Sequence, residues 1–575
     1  MAAFLFLCGI IPSARFTVAP ALNSPNPALV TERAARRLPR VALWLFCAAY
    51  LLPGLIGRDP WKNADITAFG YMFSMAEGRS SWLAPTVGGL PADAAMFPYW
   101  LGASFIHLLG DWVGPPMAAR IPFALLLGLV LLLTWYSSFH LARTEAAQPL
   151  PFAFGGEAQP IDYARAIADG ALLALIATLG LLQLGHETTP ELCQLAGAAL
   201  FMYGLSSSPY RGWQCKLAAM LSLPMMAASG APSMGMALGV AGLVVCSQSS
   251  YESSRRFVPW VAASAILAAA VGFALGAWDM RLEGYASVQS VVQLLRQLLW
   301  FMWPTWPIAL WTLWRWRRHL AHRHISVPLS CALVGVLSCI AMGGSDRALM
   351  LALPALAVLA AFTLPTLQRS TSAAIDWFSV FFFSICALAI WVLYIAMQTG
   401  VPAKPAANVA KLVVGYKPTF SLLALVLAVL ASAAWIWLVQ WRTGRNRHPL
   451  WKSMVLPASG VALCWLLVMT LWLPLMNYAL SYKPLVERIG MHVPFGSCTA
   501  TPGMARGQMV ALEYFGRYRI DAMTSENATS CDHMLLTETR NSPAPAHPGW
   551  TLLGREVRPT DNERVVAIYR RDGAR

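Results

Sequence analysis

The sequence predicts an all-α polytopic membrane protein of about thirteen transmembrane helices, closed by a small C-terminal α/β domain. Three observations predict it. Of the 575 residues 57% are hydrophobic and 12% charged, whereas an ordinary soluble domain has roughly 25% charged residues. Apolar runs long enough to span a bilayer recur to about residue 479. Beyond that point the runs shorten and Gly, Pro and charges return. The 24 tryptophans suit interfacial belts. The net charge of +15 is read by position, because Lys and Arg in such a chain report topology before partners; membrane lipids, and no nucleic acid, are the partners this implies.

Residues 1–40 read as a cytoplasmic tail, since MAAFLFLCGII has no charged segment ahead of it and no small-residue cleavage site after it. Spans are expected near 41–57, 117–139, 165–184, 190–208, 213–229, 231–247, 257–278, 300–316, 326–342, 348–366, 374–396, 418–440 and 453–474. The pair between Trp213 and Ser247, broken by SGAPS, also suits a re-entrant hairpin. The transmembrane domain is thus 41–479, with a first external loop at 58–116.

Arg33, Arg36, Arg37, Arg40, Arg211, Lys216, Arg255, Arg256, the run RWRRHLAHRH, Arg369 and the run WRTGRNRHPLWK fall on one alternating side, which the positive-inside rule assigns to the cytoplasm. The first loop, the turn GGSDR, the segments at 279–297 and 398–418 and the C-terminal domain then lie outside. In that domain, residues 480–575, HMLLTET, WTLLGREV and RVVAIYRR read as strands and MARGQMVALEYFGRY as a helix. Its two cysteines, Cys498 and Cys531, are expected to form a disulfide in an oxidising compartment.

The first loop opens with GRDPWKNADITAFGYM, which places Asp59 and Asp65 where the chain leaves the bilayer. Asn63 is a fair N-cap for a helix to about Glu77, because Ile66, Phe69, Met72 or Phe73, and Ala76 recur on one face. That face is expected in the outer interface. Asp65 falls in the first turn, where the helix dipole favours the anion, so it is a candidate base and Asp59 its competitor.

The loop continues SSWLAPTVGGLPADAAMFPYWLGASFIHLLG and then AARIPFALLLGLVLLL; further on come GHETTPEL, ASGAP and DRALMLALPALAVLAAF. In this order and spacing the chain resembles the bacterial aminoarabinose lipid A transferases and their protein O-mannosyltransferase relatives of the GT-C superfamily. The resemblance implies an inverting glycosyltransferase of the inner membrane, with active site and C-terminus facing the periplasm. It would move a sugar from a polyprenyl-phosphate donor to lipid A or another glycan or protein acceptor. It also implies that a first-loop carboxylate is essential and that basic residues hold the lipid phosphate. The family's Asp-Glu pair is replaced by Asn63, Ala64 and Asp65, and its Glu-Lys-Pro after Gly-Leu-Pro is absent, Asp93 being the nearby acid.

The chemistry asks for the same groups. Displacement at an anomeric carbon needs a base for the acceptor and cations for the leaving phosphate. The outward cations Arg58, Lys62, Arg281, Arg296, Arg347 and Lys411, with Lys404 and Lys417, are the candidate phosphate ligands. A divalent metal is the one cofactor the sequence leaves open, with Asp93 and Glu187 as conceivable ligands, although the outer histidines show no paired spacing with acids beyond His186 and Glu187. The competing expectations are a secondary transporter, which would concentrate ionisable residues at mid-membrane, and a non-catalytic relative that binds a polyprenyl lipid.

Overall fold

The computed structural model describes residues 28–152, 155–278, 287–443, 449–524, 529–543, 545 and 547–573. All thirteen apolar runs contain a helix: Arg40–Leu51, Pro115–Ala142, Pro160–Ala177, Pro190–Ser207, Trp213–Ala228, Pro232–Ser247, Val258–Ala274, Thr305–Arg315, Arg323–Ala341, Leu353–Thr363, Arg369–Thr399, Leu422–Thr443 and Lys452–Leu471. Six helical stretches among the described residues are long and apolar enough to cross a bilayer by length and composition alone. Pro115, Pro160, Pro190 and Pro232 each open their helix, where the missing N–H is not needed.

Two runs are interrupted. The run at 165–184 breaks at Thr178, which is extended with ψ 119°; the Leu179 N–H bonds instead to the Trp303 carbonyl at 3.0 Å, and Leu179–Leu184 forms a separate short helix. The run at 348–366 is split into Asp346–Met350 and Leu353–Thr363. The pair between Trp213 and Ser247 is two helices of 16 residues each.

Loops that alternate along the chain gather at two ends of the bundle. At one end Asp65 meets Thr188, Arg347 meets Glu187, and the Tyr478 hydroxyl donates to the Val414 carbonyl at 3.1 Å. At the other end the Trp451 indole donates to the Arg36 carbonyl at 2.7 Å, and buried Arg323 donates to Ser208 Oγ at 2.9 Å and to the Leu205 carbonyl. The C-terminal domain sits on the first of these ends.

That domain is a five-stranded sheet of β3 (Cys498–Ala500), β4 (Arg519–Asp521), β5 (His533–Thr539), β6 (Trp550–Glu556) and β7 (Arg564–Arg571), in the order β4-β3-β5-β7-β6. The β3 strand is parallel to β4 and β5, and β7 is antiparallel to β5 and β6. The helix Arg506–Phe515 packs against it. Cys498 and Cys531 are joined by a disulfide, with Cα atoms 5.0 Å apart. A two-stranded ribbon in the first loop, β1 (Thr86–Val87) and β2 (Leu90–Pro91), completes the strands of the described residues.

The helix expected after Asn63 runs Ala64–Ala76, but two expectations about it are corrected. Asn63 makes no side-chain cap bond and has φ 69°; the Ile66 N–H that a cap side chain would receive donates to the Trp61 carbonyl at 3.0 Å instead. The apolar face is not in the interface either. Ile66, Phe69, Met72 and Met75 are buried, because this helix is packed between the C-terminal domain, which covers Ile66 and Phe69, and the loop helix Met96–Val113, whose Gly102 meets Met72. A Cβ on Gly70 would lie 2.2 Å from a Val510 methyl, so only glycine permits the two helices to approach so closely. Phe69 and Phe73 pack edge-on against Tyr514 at 4.9 and 5.0 Å between centroids. A second loop helix, Met96–Val113, ends at Gly114, whose φ of 83° reverses the chain into the next span.

Candidate active site

The two carboxylates of GRDPWKNAD have different surroundings. Asp65 is 1% exposed, and four donors fill its carboxylate. Oδ2 accepts from Arg58 at 3.3 Å and from the Trp61 N–H at 3.0 Å, while Oδ1 accepts from the Thr188 N–H at 2.8 Å and its hydroxyl at 2.9 Å. Burial by itself would raise this carboxyl, but the Arg58 and Arg120 guanidiniums and the two backbone donors outweigh it and hold Asp65 below the ordinary carboxylate range. Four donors thus hold the Asp65 carboxylate in place and lower its basicity.

Asp59 is half-buried and faces open space. It lines a cavity of about 1020 Å³ with Phe73, Lys483, Tyr514, Arg517 and Arg519, at the seam between bundle and C-terminal domain. Burial raises its carboxyl, against the pull of Lys483, Arg120 and the Ser481 hydroxyl. A carboxylate shifted up and open to a cavity is suited to accept a proton.

Asn477, on the short helix Leu473–Leu480 after the last span, sets this orientation. Its side-chain oxygen accepts from the Asp59 N–H and the Trp61 indole, both at 3.1 Å, and its amide donates to the Gly57 carbonyl at 2.8 Å. From below, Arg120 donates to the Arg58 carbonyl, and Arg58 donates to the His186 carbonyl at 2.7 Å. Arg58 and Arg120 therefore balance Asp65 and Asp59 in charge.

The sequence-expected phosphate ligands do not converge on this cavity. Arg58, 2% exposed, is committed to Asp65 and stacks on the Trp61 ring at 4.7 Å. Lys62 stands beside Arg558 and Asp561, and burial together with Arg558 lowers its pKa. Arg347 pairs with Glu187 at 2.6 Å and Glu191 at 3.2 Å. Arg296 and Lys411 are exposed on the helices Val288–Phe301 and Ala403–Leu412. Arg281 lies outside the described residues.

The conceivable metal ligands are also occupied. Asp93 pairs with Arg506 at 3.0 Å and Glu187 with Arg347. Among the described residues no group of three or more His, Cys, Asp or Glu could hold an ion. Burial, followed by the Asp65 charge, raises the Glu187 carboxyl, which makes it the weaker acid of this corner.

Arg120, Asn477, Lys483 and Tyr514 are the site residues that sequence reasoning missed. Arg120 sits in the quoted AARIP motif, so a signal was present; the other three lie more than 400 residues from Asp59, with no local pattern to mark them.

With this geometry in place, the comparisons with known proteins are specific about architecture. Two crystal structures of ArnT from Cupriavidus metallidurans share it, each at 14% sequence identity and covering 92% of this chain and 96% of theirs. The TM-score is 0.62 for the one bound to undecaprenyl phosphate and 0.58 for the apo state. The chain has an ArnT-like fold. The ArnT fold accounts for the polytopic helical bundle and the small sheet domain together, because the likeness spans nearly the whole of both chains. No protein-family profile and no curated protein sequence matches.

Proposed function

We propose that this protein is a membrane glycosyltransferase that moves a sugar from a polyprenyl-phosphate donor to lipid A or another envelope acceptor. The reaction would take place at the periplasmic face of the inner membrane. The observation that carries the reading is Asp59, raised by burial and open to a large cavity with Lys483 beside it. The ArnT-like fold supports it, since one structure of that fold was obtained with undecaprenyl phosphate. The Lys and Arg distribution supports the orientation.

In the proposed step the acceptor oxygen attacks the anomeric carbon and the sugar–phosphate C–O bond breaks. The acceptor proton passes to the Asp59 carboxylate, and the electron pair leaves on the polyprenyl phosphate. A single displacement inverts the anomeric centre. Lys483, the cavity-wall cation whose charge acts on Asp59, stabilises the leaving phosphate. Asp65, Arg58, Arg120 and Asn477 hold the loop so that Asp59 keeps its place. The roles of the two acids are thus the reverse of those the helix position of Asp65 suggests.

The test is mass spectrometry of lipid A and of undecaprenyl-linked glycans from a deletion strain beside its parent. The reading expects one sugar modification to vanish and its polyprenyl-linked form to accumulate. Identical profiles under conditions where the protein is expressed would contradict it and leave a lipid-binding relative.

A further inference from the structure

One helix of the C-terminal domain, Arg506–Phe515, carries Glu513, Tyr514 and Phe515 to the cavity. Val510 and Tyr514 stand one turn apart on its face toward the first-loop helix. Phe69 and Phe73 form the matching row on that helix, stacked on each other at 5.6 Å. Gly70 lies in this row and admits the Val510 side chain, since a Cβ there would lie 2.2 Å from its methyl. The same close approach lays the Tyr514 ring across both phenylalanines, edge-on at 84° and 89°. Phe515 adds a third ring contact at 4.9 Å.

The ring is held from several sides, yet its hydroxyl has no hydrogen-bond partner among the described residues. Other tyrosines of the domain use theirs: Tyr518 donates to the Val493 carbonyl at 2.9 Å and Tyr569 to Glu538 at 2.8 Å. The neighbouring Glu513 is spent on docking, accepting from Arg79 and from the Gly88 N–H, both at 3.1 Å. Burial and then the Asp59 charge push the Tyr514 phenol up to about 12, so it keeps its proton at neutral pH. A rigidly packed, protonated phenol on the wall of the cavity that Asp59 and Lys483 share is a preorganised donor.

We propose that Tyr514 is a catalytic residue supplied by the C-terminal domain, its hydroxyl donating a hydrogen bond to the phosphate oxygen on which charge develops as the sugar–phosphate bond breaks. The step itself rests on the glycosyltransferase reading; the contact with a phosphate is separable from it. The bond between the anomeric carbon and that oxygen breaks, and its electron pair stays on the oxygen. The phenol keeps its proton, because a phosphate departs as an anion without one. Lys483 supplies charge, and Tyr514 supplies a directed donor. The site is then complete only with the domain docked, and the Gly70–Val510 approach sets the register of that docking.

The test compares wild type, Tyr514→Phe and protein carrying 3-fluorotyrosine in place of Tyr514, each full-length in nanodiscs. Phenylalanine keeps the ring contacts and removes the hydroxyl alone, whereas fluorine makes the phenol a stronger donor. Single-turnover transfer from a polyprenyl-phosphate sugar, affinity for undecaprenyl phosphate and for undecaprenol, and the thermal midpoint are measured on each. In Tyr514→Phe, transfer and undecaprenyl phosphate affinity should each fall by about tenfold to a hundredfold, the scale of one hydrogen bond to a charged group. Undecaprenol affinity and the midpoint should stay at wild-type values, and the fluorinated protein should transfer at least as fast as wild type. Tyr514→Phe protein with transfer and affinity within about threefold of wild type would overturn the proposal, that being less than one such bond is worth. So would a loss matched by a fall in midpoint and in undecaprenol affinity. If wild type transfers no sugar while undecaprenyl phosphate affinity falls selectively in Tyr514→Phe, the Tyr514 contact stands and the glycosyltransferase reading falls.

Discussion

Asp65→Asn should damage the fold before it touches the chemistry. The carboxylate receives Arg58, the Trp61 N–H and both donors of Thr188, at 2.8 to 3.3 Å. Asparagine keeps the shape but turns one acceptor into a donor. It leaves Arg58, whose side chain is fully buried, without a counter-charge. Removing one partner of a buried pair costs roughly 3–5 kcal/mol, a large part of the roughly 5–15 kcal/mol of a typical domain. The assay is thermal unfolding of the purified protein in detergent, with transfer activity measured on the fraction that remains folded. Folded Asp65→Asn should keep Asp59 chemistry within about tenfold, since a strut acts through position. A double variant, Arg58→Met with Asp65→Leu, should recover much of the lost stability, because apolar replacement of a buried pair is often neutral. The sign for pH follows from the depressed carboxyl. Its stabilisation is complete above the unfolded value of about 3.9 and is lost as pH falls through the lower folded value, so acid sensitivity in that window should disappear in the double variant. An Asp65→Asn protein with unchanged thermal midpoint and no activity would refute this reasoning and return the base to Asp65.

Three further outcomes are expected. Asn477→Ala removes three hydrogen bonds to the 57–61 loop, each worth roughly 0.5–1.5 kcal/mol; kcat should drop by about tenfold or more with KM little changed, as steady-state kinetics would show. The acid limb of kcat/KM against pH should lie above the ordinary carboxylate value of about 3.9, because burial raises Asp59. In Lys483→Gln the limb should move further up, since a cation that favours the ionised form has been removed, and a downward move would contradict the assignment. Gly70→Ala places a methyl into Val510 and should loosen the C-terminal domain, seen as faster limited proteolysis between the last span and β3.

Much of the bundle was legible because lipid solvation forces long apolar runs and leaves few alternatives to helix. HMLLTET and RVVAIYRR are the paired central strands β5 and β7 in register from His533 with Arg570 to Thr539 with Arg564, as their alternation suggested. The Cys498–Cys531 disulfide was legible from compartment and isolation. The site was not. Which of two acids six residues apart faces a cavity depends on Asn477 and on where the C-terminal domain docks, and neither leaves a periodic trace near the loop. The expected helix cap, Asn63, failed because the Ile66 N–H is taken by the Trp61 carbonyl, a local turn that residue type alone does not reveal. Arg347 stands where the GT-C resemblance placed a basic residue, yet Glu187 and Glu191 meet it there, a pairing that becomes visible only when two turns far apart in sequence come together.

The central claim is that Asp59 is the base and Asp65 its support. It is tested most directly by single-turnover transfer from a polyprenyl-phosphate sugar with Asp59→Asn protein, beside a measurement of donor binding on the same sample. General-base catalysis contributes roughly 10² to 10⁴ in rate, so transfer should fall by about a hundredfold or more while donor affinity and thermal midpoint stay at wild-type values. Transfer within about threefold of wild type at equal donor occupancy would contradict the account, because no loss of the order expected for a base would then attach to the carboxylate that faces the cavity.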